Sequence, residues 1–204
     1  MSRQATEPSS AAQGGVCSYG AAAIAFIDTT RRRAVGELRV GKEPVQVAFD
    51  PTGASAHVTL RGENAVARID VGRREVVAKT RVGRGPIQLF ATGDGRLLVV
   101  ANQGTPARPG HTVSLVSTAS FREIAKVETG RGPHGVVVDP SSRRAYVTNT
   151  YSGTFSVLDL ERRREVAEIP TGREPNGITF VPYEPAHAPR PIRLGTGGDG
   201  GHSH

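Results

Sequence analysis

A four-residue element, Gly-x-x-Pro, recurs through this chain at a nearly fixed interval. It stands at Gly41-Lys42-Glu43-Pro44, Gly83-Arg84-Gly85-Pro86, Gly130-Arg131-Gly132-Pro133 and Gly172-Arg173-Glu174-Pro175. Pro44 to Pro86 is 42 residues, Pro86 to Pro133 is 47, and Pro133 to Pro175 is 42. Self-similarity at such a period means stacked units that cannot bury their apolar faces alone. The five extra residues of the middle interval fall in Gln103 to His111, which holds two Pro and two Gly. Insertions collect in loops because loop length costs little. This stretch is therefore expected to be the longest and most mobile loop on its face.

Other columns keep the register. Each Pro is followed by a short apolar run: Val45 to Phe49, Ile87 to Ala91, Gly135 to Val138 and Gly177 to Phe180. A turn follows at Asp50-Pro51-Thr52-Gly53, Thr92-Gly93-Asp94-Gly95 and Asp139-Pro140-Ser141-Ser142. A second strand is read at His57 to Leu60, Leu97 to Asn102 and Ala145 to Asn149. A third is read at Ala65 to Asp70, Thr112 to Ser117 and Thr154 to Asp159, and Ile24 to Asp28 matches it. A fourth is read at Val76 to Val82, Ile124 to Thr129 and Val166 to Thr171, and Val35 to Val40 matches it. The runs are rich in β-branched residues and alternate in polarity, as in Phe155-Ser156-Val157-Leu158-Asp159. Four short strands per repeat of this length predict an all-β protein, a β-propeller of four-stranded antiparallel blades; solenoid repeats of similar length are helical.

The segment Tyr146-Val147-Thr148-Asn149, followed by Ser152-Gly153-Thr154-Phe155-Ser156-Val157-Leu158-Asp159, resembles the YVTN-type β-propeller repeat family. Gly130-Arg131-Gly132-Pro133-His134-Gly135-Val136 fits the same pattern. The likeness covers about residues 24 to 181 and loosens in the other repeats, where His57-Val58-Thr59-Leu60 and Val99-Val100-Ala101-Asn102 stand for the motif. The resemblance implies a seven-bladed type of ring and proteins that are often exported. Related propellers bind haem d1 or quinone-type cofactors or open lactones, and fold likeness does not choose among these.

Counting strands gives a half-blade at 24–40, blades at 45–82, 87–129 and 134–171, and a half-blade from 176, about four blade-equivalents. An incomplete arc of a larger ring is expected, completed by a second copy (a homodimer) or by further blades. Residues 1–19, small and polar, and 182–204, rich in Pro and Gly, read as flexible tails around a repeat region at 20–181.

The net charge is +7, carried mostly by Arg, since the only lysines are Lys42, Lys79 and Lys126. Aromatics are 5% of the chain, too few to interleave a basic patch, which speaks against nucleic acid as the partner. The single cysteine, Cys17, excludes an internal disulfide. No apolar run is long enough to span a bilayer, and no export signal precedes Ala21 to Ile27. As it stands the sequence predicts a cytoplasmic protein; a preceding segment would make it periplasmic or extracellular.

Candidate ligand-binding residues lie in the Gly-x-x-Pro loops, which a propeller places at one mouth of its channel. The second loop position is always basic: Lys42, Arg84, Arg131, Arg173. Like charges gathered at one mouth suit an anionic ligand, although a turn cation is more often simply solvated. After the Pro, His134 and Asn176 are the polar members of a column otherwise filled by Val45 and Ile87. His134 is a candidate base or ligand. Asn102, Asn149 and Tyr151 lie at the start of the upper loops, and the Asn residues are read as turn formers. Acids on that face are sparse, namely Glu43, Glu63 and Glu174, which gives thin support for a lactonase-like metal site. Asp28, Asp70 and Asp159 precede Arg-rich turns on the opposite face and read as turn acids. No catalytic residue, metal site or cofactor is assigned. The function expected is a ligand- or partner-binding scaffold that takes an unknown protein or a small anion; the alternative is a propeller enzyme or cofactor carrier of the lactonase or haem-d1 type.

Overall fold

The computed structural model describes residues 13–18 and 20–181. Within them lie fifteen strands and one 3₁₀ turn at Arg61–Glu63. Three sheets are four-stranded antiparallel meanders. The first comprises β4 (Pro44–Phe49), β5 (Ser55–Leu60), β6 (Ala65–Asp70) and β7 (Glu75–Arg81). The second comprises β8 (Pro86–Ala91), β9 (Leu97–Thr105), β10 (Arg108–Ser117) and β11 (Arg122–Glu128). The third comprises β12 (Pro133–Val138), β13 (Arg144–Asn149), β14 (Thr154–Asp159) and β15 (Arg164–Pro170). Ahead of them a three-stranded sheet joins β1 (Gln13–Ser18), β2 (Ala23–Asp28) and β3 (Arg33–Arg39).

Each of the three four-stranded sheets opens with a strand that begins at the Pro of a Gly-x-x-Pro element. β4 lies against β8, and β8 against β12, so these first strands form the inner wall and each meander runs outward from it. Three apolar cores fill the spaces between consecutive sheets. One joins Ile24, Phe26 and Val40 to Val58, Leu60 and Ile69. The next joins Val66 and Val82 to Leu89, Leu98 and Val116. The last joins Val99, Val113 and Leu115 to Val136, Val147 and Leu158. The chain is an open arc of a propeller: no described strand links the final sheet to the initial one.

Local chemistry explains the turns. Between third and fourth strands, the Asp28, Asp70 and Asp159 carboxylates accept the N–H groups of Arg31, Arg73 and Arg162, each at 2.8 Å. The residue after each of those arginines, Arg32, Arg74 or Arg163, is left-handed, and a bulge starts the next pairing. These acids are therefore turn formers, and the hydrogen bonds hold Asp28 and Asp159 below the ordinary carboxylate range.

A second bulge interrupts β4 and β12 just after the Pro. It frees one N–H of the inner strand, and a threonine hydroxyl of the next strand accepts it. Thr59 takes the Gln46 N–H at 3.1 Å and Thr148 takes that of Gly135 at 2.8 Å. The Thr of the Tyr146-Val147-Thr148-Asn149 segment is thus a backbone partner within its sheet.

Four expectations change. The stretch 1–19 is not all tail, because Gln13–Ser18 is a strand paired with β2, with Val16 opposite Ala25. Its two glycines and lone Cys gave little strand signal. The insertion at Gln103 to His111 is a hairpin that lengthens β9 and β10, with Thr105 opposite Arg108. Asn102 and Asn149 are buried strand residues; their amides donate to Ser114 and Ser156 at 2.9 and 2.8 Å. The final apolar run, Gly177 to Phe180, forms no strand pairing, yet it occupies an inner-strand position beside β12. There the Asn176 carbonyl accepts from His134 at 2.8 Å and Phe180 stacks on Tyr146. The segment 182–204 lies outside the described residues.

Candidate functional site

The Gly-x-x-Pro loops gather at the end of the arc where the inner strands begin. In all four the residue before Pro is left-handed: Glu43, Gly85, Gly132 and Glu174, with φ of 53°, 57°, 71° and 50°. That bend exposes the preceding cation and turns the carbonyl toward the neighbouring loop. The Glu43, Gly85 and Gly132 carbonyls accept the N–H groups of Arg61, Gln103 and Thr150 at 2.9, 3.1 and 2.9 Å. Arg61, Gln103 and Thr150 each follow the last residue of the second-strand column, Leu60, Asn102 and Asn149. Two sets of loops are therefore stitched into one rim by backbone hydrogen bonds.

Lys42, Arg84, Arg131 and Arg173 are all exposed on this rim. Among the described residues, none of the three arginines has a carboxylate within ion-pair distance. Glu43 and Glu174 sit directly after Lys42 and Arg173, so the uncompensated positive charge is concentrated at Arg84 and Arg131. Glu63 is already committed: it accepts the Lys42 N–H at 2.8 Å and pairs with Lys79 at 2.9 Å. Those bonds keep its carboxyl below the usual range.

A second group lies against the inner strands. Arg61 spans two sheets, donating to the Gln103 side chain at 3.1 Å and to the Gly104 carbonyl at 2.7 Å. His134 is half-buried, and its Nδ1 lies 2.8 Å from the Asn176 carbonyl. A carbonyl can only accept, so Nδ1 carries the proton and Nε2 keeps a lone pair in the neutral ring. Burial, and then the Arg61 charge, hold the imidazole below its ordinary pKa. Asn176 is exposed and meets His134 through its backbone.

The sequence candidates thus divide. Lys42, Arg84, Arg131 and Arg173 share the rim, and His134 and Asn176 are joined to each other. Arg61 and Gln103 escaped the sequence reading; they occupy the same column as Thr150, one residue past the second strand, and that register could have found them. Among the described residues no three His, Cys, Asp or Glu side chains come together as metal ligands.

At the opposite end of the inner strands lies a cavity of about 520 Å³, lined mainly by apolar groups including Phe49, Phe90, Val138 and Phe180. It faces away from the cationic rim. No helix among the described residues is long and apolar enough to cross a membrane.

Comparison with known proteins places the fold. No family model and no curated protein matches the sequence. The solved structure of Kuenenia stuttgartiensis hydrazine synthase is similar over 78% of this chain and 46% of its own, with a TM-score of 0.71 and 21% identity. This chain therefore spans under half the length of that protein's chain. A functionally unknown protein from Desulfotomaculum acetoxidans DSM 771 is similar over 83% of this chain and 69% of its own, with a TM-score of 0.56 and 13% identity. At such identities the likeness shows the fold alone.

Proposed function

We propose that this chain is a binding module built on YVTN-type propeller repeats, which holds an anionic ligand or an acidic partner surface at the Gly-x-x-Pro rim. One observation carries the reading: Arg84 and Arg131 are exposed at equivalent positions of adjacent hydrogen-bonded loops and have no acidic partner among the described residues, while the nearby Glu63 is fully engaged. Loops already fixed by backbone hydrogen bonds spend little backbone entropy when an anion arrives. Arg61 and the neutral His134 add hydrogen-bonding groups beside them, with His134 Nε2 able to accept from a ligand hydroxyl or amide.

Calorimetric titration with citrate and with inorganic phosphate tests this. Binding is expected to weaken at least tenfold in the Arg84→Gln/Arg131→Gln/Arg173→Gln variant, and its salt dependence to flatten. Equal affinity in that variant would show that the anion binds elsewhere than at the rim.

The apolar cavity favours a second reading, cofactor carriage of the haem-d1 type, since its volume lies within the range of small-molecule sites. The visible absorbance of the purified protein separates the two: a chromophore supports the carrier, and a colourless protein that binds citrate supports the rim.

A further inference from the structure

Each end of the arc lacks what the other end supplies. Among the described residues the initial sheet, β1-β2-β3, has no inner strand, whereas the other three sheets each have one. The pairing of β1 with β2 identifies which strand is missing. Gln13 lies opposite Asp28, as Ser55 lies opposite Asp70 and Arg144 opposite Asp159. β1 therefore corresponds to β5 and β13, the second strands of their sheets. Its free edge is the edge to which β4 and β12 bond in those sheets.

At the other end, Pro175-Asn176-Gly177-Ile178-Thr179-Phe180 has the register of an inner strand. Pro133-His134-Gly135-Val136-Val137-Val138 matches it position for position. The segment already lies in an inner-strand place. Its Asn176 carbonyl accepts from His134, and Thr150 donates to the Pro175 carbonyl at 2.9 Å. An added Cβ on Gly135 would sit 2.7 Å from that same Asn176 carbonyl, so the segment runs close along β12. No second strand pairs with it among the described residues.

The faces agree with the edges. Val16 corresponds to Val58 and Val147; those two are 0% exposed, whereas Val16 is 54% exposed. Ile169 corresponds to Val127, which is 2% exposed against 41% for Ile169. Val58, Val147 and Val127 are buried between sheets, and their end-sheet counterparts wait for a neighbour.

We infer that two copies of this chain assemble head to tail, with Asn176–Phe180 of each copy completing the initial sheet of the other as its inner strand. The register follows from β4-β5 and β12-β13: Ile178 opposite Val16, Thr179 opposite Gly15, Phe180 opposite Gly14. The face bearing Tyr146 and Ile169 then packs on the face bearing Val16. The fifteen strands of the described residues and one inner segment make four full sheets per copy, so two copies close a ring of eight, within the four to eight blades that propellers adopt. The interface is isologous and saturates both open edges at once, which removes two pairing hazards. This assembly is independent of what the rim binds.

Sedimentation equilibrium of the full chain and cross-linking together test it. The chain is expected to sediment at twice its 21.5 kDa mass. Val16→Asp is expected to give a folded monomer, since Val16 is exposed until the second copy arrives. In a Cys17→Ser background, a Val16→Cys chain mixed with an Ile178→Cys chain is expected to oxidise to a disulfide-linked heterodimer. A wild-type monomer, or a dimer that gives no such cross-link, would overturn the inference. So would a doubly substituted chain that links 16 to 178 within one copy, which would establish a four-bladed ring instead.

Discussion

The Thr148 hydroxyl accepts the backbone N–H of Gly135 at 2.8 Å, inside the bulge that opens the inner strand β12. The bulge leaves that N–H without a ladder partner, and it is buried, so losing the acceptor costs the desolvation of an orphaned donor. Thr148→Val is expected to destabilise the chain by about 1–3 kcal/mol, and Thr148→Ser by much less. Chemical denaturation of the two variants checks the difference. Equal losses would mean that the threonine acts by packing alone.

His57 gives the fold a pH dependence. It is 1% exposed, stacks on Phe121 at 5.8 Å between ring centroids, and its Nδ1 has no partner. Burial, with the Arg68 charge, lowers its pKa to about 4. The unfolded chain takes up this proton near pH 6.5, and the folded chain does so only near pH 4. Stability should therefore fall as pH drops through that window, by about 3 kcal/mol in all from this group. His57→Val, which borrows the residue of the corresponding Val99, is expected to flatten the profile between pH 7 and pH 4. A wild-type curve already flat there would show that His57 titrates normally.

Gly132 is left-handed at φ 71°, and a Cβ there would collide with the Tyr151 ring. Gly132→Ala is expected to cost about 2 kcal/mol or more from the two effects together. Relieving the clash with Tyr151→Ala should recover part of it in thermal unfolding. No recovery would place the whole cost in the backbone.

The blade pattern was legible because strand period, turn residues and the Gly-x-x-Pro interval keep one register, apart from the five-residue insertion of the middle repeat. What escaped has physical causes. β1 carries Gly14, Gly15 and Cys17 where its counterparts carry Ala56, His57 and Thr59, so composition hid a strand that pairing with β2 holds. The insertion after Asn102 reads as a loop through its Pro and Gly, yet Pro106 and Ala107 alone lie between the strands of a hairpin. The rim cations could be read from one column, but Arg61 could not be joined to His134, since that proximity arises only when sheets stack.

The hairpin tip supplies a further check. Thr105 to Arg108 are exposed, while the base is tied down by Gln103 N–H to the Gly85 carbonyl at 3.1 Å. Replacing Thr105 to Arg108 by a two-residue Asn-Gly turn should change stability by less than about 1 kcal/mol. A larger loss in thermal unfolding would show that the tip packs on the rim.

Ligand engagement at the Gly-x-x-Pro end of the arc is read most directly by hydrogen exchange of the full chain, compared with and without saturating citrate. Slowed exchange is expected at Arg61, at Gly83 to Gly85 and at Gly130 to Gly132, with no change at Phe49, Phe90 and Val138. Protection confined to those last three residues, at the cavity end of the inner strands, or no protection anywhere, would contradict it.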